Sequence, residues 1–181
     1  MEQVQKLSHD QIVKRQNAQR KKPKLGFCAV LNNIRSLYNV GSIFRTADAV
    51  GLEKLWLCGI TGCPPASMIK KTALGAEETV VWEHREDAVE LVRELKNKGY
   101  QIVLLEQIKQ SVLYEKFKPK APICFVLGNE ITGVSDELLK LCDKAVEIEM
   151  MGLKNSLNVS VAFGILAYHI KGALRQKDTE A

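Results

Sequence analysis

The chain has 181 residues, 46% hydrophobic and 26% charged, which allows one domain with a sizeable core and excludes a disordered or fibrous chain. No apolar run approaches the roughly 20 residues of a membrane span, and the polar start MEQVQKLSHD lacks a signal-peptide core, so a cytoplasmic protein without membrane association is expected. The net charge of +5 is localised: residues 1–24 hold seven basic side chains (Lys6, Lys14, Arg15, Arg20, Lys21, Lys22, Lys24) against Glu2 and Asp10, and the remainder carries 19 of each sign. That footprint fits a polyanion partner, or a solvated basic helix with no partner at all.

Ser8-His9-Asp10-Gln11 fits a capping box, with Gln three positions after a Ser N-cap, opening a polar helix to about Lys21. Lys22-Pro23-Lys24 ends it. Residues 25–31 read as a buried strand and residues 40–50 as a helix closed by Gly51. A strand over 54–58 leads into the Gly62-Cys63-Pro64-Pro65 loop, a short helix over 68–74 and a strand over 79–82. Residues 86–97 form an amphipathic helix, with Ala88, Leu91, Val92 and Leu95 on one face and Gly99 just past its end. Strands over 100–105 and 123–127 follow, then a helix over 136–142, a strand over 145–148, and a last helix over 157–174 capped by Ser156 or Asn155. Apolar strands alternating with helices predict an α/β fold, a mostly parallel sheet covered on both faces. The chain divides into a basic helical extension, residues 1–24, and one α/β domain, residues 25–181.

The five cysteines make an odd total with no C-x-x-C and no zinc-ligand spacing. Cys28, Cys58, Cys124 and Cys142 sit in or beside apolar runs and read as core residues of a reducing compartment; Cys63, in a loop, is the one candidate reactive thiol. His9, His84 and His169 have no acid, nucleophile or ligand beside them and read as structural or solvent-facing. No metal site is expected.

Three separated blocks concentrate short polar residues and glycines where an apolar run meets a helical pattern: residues 39–51 (NVGSIFRTADAVG), 127–139 (LGNEITGVSDELL) and 148–162 (IEMMGLKNSLNVSVA). In open α/β sheets ligands bind outside such strand ends. In the first block Gly41 would let backbone approach a ligand. Asn39 and Arg45 could equally cap a helix and make a surface ion pair. In the second, Gly128 ends a strand, Asn129 and Glu130 face the crevice, Gly133 permits a turn and Ser135 caps the next helix. The third puts Ser156, Asn158 and Ser160 at alternate positions, where a helix cap would need only one of them. None of this is a G-x-G-x-x-G dinucleotide loop.

Together the blocks resemble the SpoU-type (TrmH-like) RNA 2'-O-ribose methyltransferases of the SPOUT superfamily, over roughly residues 25–174. The resemblance implies a SPOUT methyltransferase domain with a C-terminal trefoil knot, a rare exception to the rule against threading. It also implies transfer of a methyl from S-adenosylmethionine to a ribose 2'-hydroxyl in structured RNA. Transfer RNA is favoured over ribosomal RNA, bound through the basic residues 6–24 and the active-site face, and the enzyme is expected to be a homodimer sharing its site across the interface. By the same resemblance Arg45, Asn39, Glu130, Ser156 and Asn158 are catalytic. Leu105, Glu106, Leu127, Gly128, Ile148, Met150 and Leu157 hold the donor, Leu105 and Glu106 through backbone groups. The small residues Ala162, Gly164 and Ala167 would let helices approach closely in the dimer. One departure is Glu149, where the family often has Pro. A guanidinium is protonated at ordinary pH, so holding phosphate and stabilising charge on the attacking oxygen ranks ahead of proton abstraction for Arg45. A non-catalytic RNA-binding protein of the same fold, and a small-molecule nucleotide enzyme on a Rossmann-like sheet, are the alternatives.

Overall fold

A computed structural model describes residues 5–180, the side chains of residues 177–180 excepted; residues 1–4 of the expected extension and Ala181 lie outside the described residues. The strands are β1 (Phe27–Asn32), β2 (Leu55–Cys58), β3 (Trp82–Arg85), β4 (Gln101–Leu105), β5 (Val112–Leu113), β6 (Ile123–Leu127) and β7 (Lys144–Glu147). The helices are α1 (His9–Arg20), α2 (Leu37–Val50), α3 (Ser67–Ala73), α4 (Ala76–Thr79), α5 (Ala88–Asn97), α6 (Asp136–Leu141) and α7 (Val159–Glu180). The strands form one sheet in the order β3-β2-β1-β6-β4-β7-β5, and each neighbouring pair runs parallel.

Both faces of the sheet are covered, and the period-2 geometry of a strand decides which residue goes where. Phe27, Ala29 and Leu31 of β1 and Ile123, Phe125 and Leu127 of β6 point into a core shared with α2, α3, α4 and α7. The residues between them, Cys28, Val30, Cys124 and Val126, point into a second core with α5 and α6. Buried on both sides, these strands must be apolar throughout. The cysteines belong to that packing: burial pushes the Cys58 thiol up to about 12 and also raises Cys63, so neither is poised to react. His84 and His169 are anchored on backbone carbonyls, Nε2 lying 2.9 Å from that of Gly59 and 2.7 Å from that of Phe117.

Several boundaries differ from expectation, each for a local reason. The strand expected over 79–82 begins instead at Trp82, because Thr79 still belongs to α4 and donates its hydroxyl to Asp48 at 3.0 Å. β3 is a sheet edge, half-exposed and polar, paired to the domain by Lys54 Nζ to Glu83 Oε2 at 2.7 Å; charged edges of this kind carry no apolar signature. β5, two residues long, is a strand that periodicity does not reveal. α7 starts at Val159, later than the expected 157. Of its small residues, Ala167 is buried in the core, Gly164 lies against Thr46 of α2, and Ala162 lines a cleft.

α1 has the expected capping box, with Ser8 Oγ accepting from Gln11 N–H at 3.3 Å and Gln11 Oε1 from Ser8 N–H at 2.8 Å. None of its residues is buried. It touches the domain near its end, through Arg20 to Asp48 at 4.0 Å and Arg175 to Gln19 at 3.3 Å. Such exposed contacts contribute little stability. No helix among the described residues is long and apolar enough to cross a membrane.

Candidate active site

Strand order departs in opposite directions on either side of β1, toward β2 and toward β6. The crevice beyond the carboxyl ends of the strands at such a switch is where open α/β sheets bind ligands. On the β6 side the ends of β4, β6 and β7 and the start of α7 enclose a cleft of about 580 Å³. Leu105 ends β4 and Glu106 follows it, Leu127 ends β6 and Gly128 follows it, Ile148 and Met150 follow β7, and Leu157 precedes α7; all seven line the cleft. Glu130 and Ser156 line it too, whereas Glu149 is exposed and does not.

One wall of the cleft is the loop after β6, and local chemistry dictates its shape. Asn129 and Gly133 exchange backbone hydrogen bonds of 3.1 and 2.9 Å, closing a tight turn that needs the positive φ (67°) of Gly133. The Asn129 side-chain oxygen accepts from Ile131 and Thr132 N–H inside the turn, and its amide donates to the Asn33 carbonyl at 2.8 Å. Asn33, itself at positive φ, accepts Ile60 N–H, while the buried Thr61 bridges Leu31 and Ile34. The loops following β1, β2 and β6 are thereby fastened to one another. A Cβ on Gly128 would strike the Gly133 carbonyl, so this glycine exists for the turn that folds back over it.

A chain of polar side chains crosses the rim of the cleft. Asn158 Nδ2 donates to Asn39 Oδ1 at 3.0 Å, and Asn39 Nδ2 donates to Glu130 Oε1 at 3.2 Å. Asn158 Oδ1 accepts from Ser160 N–H at 2.9 Å and from its hydroxyl at 2.7 Å. Asn158 is thus the α7 N-cap, in place of the expected Ser156 or Asn155, with one amide atom capping and the other reaching across to α2. Glu130 Oε2 accepts Arg35 N–H at 3.3 Å at the start of α2. Partial burial of Glu130 works to raise its pKa. Backbone N–H groups of Glu130, Arg35 and Ser36 and the Asn39 amide outweigh it and hold the carboxyl below its ordinary range. A carboxylate held ionised in this way orients amides well and accepts protons poorly.

The structure therefore brings Asn39, Glu130 and Asn158 together and sets Ser156 on the cleft wall. It keeps Arg45 apart: six residues on from Asn39, about 9 Å along the helix, exposed, its side chain making no hydrogen bond or ion pair to a described residue. Two expectations for this block need correction. Asn39 lies inside the first turn of α2, whose cap is Ser36, because Leu37 and Tyr38 are already helical. Gly41 does not admit a ligand: a Cβ there would meet Thr72 Oγ1 and the Ile69 carbonyl, so its role is the close packing of α2 on α3. Sequence reasoning also missed Gln107, which lines the cleft and donates to the Asn155 carbonyl at 2.7 Å; a lone Gln after a strand carries no signal.

Residues 26–168 match the SpoU rRNA Methylase family. The chain belongs to that family. One relative, the tRNA (guanosine(18)-2'-O)-methyltransferase of Aquifex aeolicus (strain VF5), is 36% identical over 147 residues, 81% of this chain and 68% of the relative. The crystal structure of an A. aeolicus TrmH/SpoU tRNA modifying enzyme superposes with a TM-score of 0.81 at 32% identity, covering 93% of this chain and 85% of the other. An AdoMet-bound rRNA methyltransferase from Sinorhizobium meliloti superposes at 0.77 with 25% identity, covering 83% of this chain but 57% of that longer one.

Proposed function

We propose that this chain is an S-adenosylmethionine-dependent RNA 2'-O-ribose methyltransferase whose substrate is tRNA. The observation that carries the reading is the continuous Glu130–Asn39–Asn158 chain, drawn from three distant segments, on the rim of a cleft lined by all seven expected donor residues. Membership of the SpoU family and the tRNA methyltransferase name of the Aquifex relative support it.

The cleft suits the donor. Leu105, Leu127, Ile148 and Leu157 offer apolar walls to a purine, and Gly128 lines the cleft beside them. S-adenosylmethionine supplies an electrophilic sulfonium methyl. What remains for the protein is to hold the ribose hydroxyl in line and stabilise charge on its oxygen. Glu130 fixes the Asn39 amide, Asn39 and Asn158 fix each other, and Ser156 offers a hydroxyl free of described partners. Arg45 clamps the substrate phosphate with two donors.

The active unit is a homodimer, and the chain passes its C-terminal segment through a trefoil knot. Supporting the dimer, Met151, Leu153, Ile131 and Val161 are exposed apolar residues around the cleft. The distance of Arg45 from the Asn39 chain fits a site completed across two copies. Supporting the knot, the segment between β7 and α7 runs between the end of β4, at Gln107, and α2, at Asn39.

The test is to incubate the full chain with methyl-labelled S-adenosylmethionine and total RNA from cells lacking it, then digest to nucleosides. Label in a 2'-O-methylribose from the tRNA fraction is expected; label only in rRNA would overturn the substrate class, and no donor binding would overturn the enzyme. The basic extension is assigned to RNA. Deleting residues 1–24 should leave the domain folded, since no residue of α1 is buried. RNA binding should weaken and lose about 0.9 from its log–log salt slope per phosphate contact removed, as fluorescence anisotropy from about 50 to about 200 mM salt will measure. An unchanged slope would sink that assignment.

A further inference from the structure

Residues 148–157 bring Ile148, Met150, Ser156 and Leu157 to the cleft, yet residues 151–158 are exposed throughout and have no regular secondary structure. The segment is anchored by β7 at one end and by the Asn158 cap at the other. Between those anchors, one hydrogen bond joins it to the rest of the described domain: Gln107 Nε2 donates to the Asn155 carbonyl at 2.7 Å. The preceding residue faces the opposite wall. Glu106 Oε2 accepts Val134 N–H from the loop after β6 at 3.1 Å, and its Oε1 accepts Gln107 N–H at 2.9 Å. Two consecutive side chains at the end of β4 thus hold the two walls of one cleft, and the Glu106 contact also fixes the backbone from which Gln107 reaches.

Resting on the donor site proposed above, we infer that Gln107 is a positioning residue for the methyl donor. Its amide fastens the 148–157 strap and so sets the distance between Leu157 and the Gly128 turn. A strap with no helix or strand of its own has many open arrangements, and ordering it costs entropy that donor binding must otherwise supply. Removing the fastener lowers affinity for the donor without touching the atoms that react, so the effect falls on binding and leaves the bound complex competent.

The test uses the full chain, with Gln107→Met keeping side-chain length without a donor and Gln107→Lys keeping a donor on a similar reach. Binding of S-adenosylhomocysteine is measured by calorimetry, and turnover by steady-state methylation of the RNA fraction labelled by the wild type. For Gln107→Met, Kd and the donor KM should rise about fivefold, the factor expected for one such hydrogen bond. Its kcat at saturating donor, RNA KM and melting temperature should match the wild type, and Gln107→Lys should bind within about twofold of it. Unchanged donor affinity in Gln107→Met would overturn the inference, as would equal losses in both variants or a kcat loss at constant KM. Failure of the wild type to bind S-adenosylhomocysteine is distinguishable from these, because it would remove the donor site itself.

Discussion

Arg45→Ala is expected to lower methyl transfer about a thousandfold while leaving donor affinity unchanged. The two halves have separate grounds. The Arg45 side chain is exposed, makes no hydrogen bond or ion pair to a described residue, and lies outside the donor cleft, so its removal should take little from the fold or from donor binding. An arginine that meets a substrate phosphate beside the reacting hydroxyl instead acts where charge develops, and losing one such donor costs roughly 10²–10³ in turnover. Arg45→Lys should recover little of this, because an ammonium cannot span two phosphate oxygens as the guanidinium fork does. The decisive comparison is kcat from single-turnover methylation against Kd for S-adenosylhomocysteine on the same samples. A loss below about tenfold would remove Arg45 from the chemistry; a matching loss of donor affinity would move it into the donor site.

The parts of the fold that were legible in the sequence are those in which burial leaves a local pattern. β6 has the bounds read from its apolar run, residues 123–127, because a central strand buried on both faces can carry nothing polar. α5 shows its stripe for the converse reason: Ala88, Leu91, Val92 and Leu95 bury one side and charge covers the other. β3 was expected too early, over residues 79–82, because an edge strand of Trp82, Glu83, His84 and Arg85 satisfies itself through ion pairs and shows no apolar run. The site was less legible than the core. Asn39 and Glu130 lie 91 positions apart and Asn158 lies 119 from Asn39, and no periodicity encodes such pairs; the family resemblance alone joined them. Where a residue's role depends on one distant partner, as with Gln107 and a carbonyl 48 positions away, neither pattern nor composition marks it.

Gly128→Ala is expected to weaken donor binding by about 10–100-fold in a protein that still folds. The added methyl would overlap the Gly133 carbonyl and come within 2.6 Å of Val134 N. These are backbone atoms, which cannot rotate aside as a side chain could. Relief requires the Asn129–Gly133 turn to open, against its paired 3.1 and 2.9 Å hydrogen bonds and the hold of Glu106 on Val134. Overpacking of this kind costs roughly 1–3 kcal/mol. Because residues 129–133 wall the cleft and, of the strained segment, only the adjoining Val134 belongs to a core, the strain should appear chiefly as lost affinity, at about tenfold per 1.4 kcal/mol. Displacing the turn also moves Glu130, so methyl transfer should fall further than donor binding does. Gly152→Ala is the matched control. It sits in the 148–157 segment, outside the cleft lining, with no atom within 4 Å of an added Cβ, and its donor affinity should equal that of the wild type. Equal affinities for the two variants would mean that the Gly128 turn forms no part of the donor site.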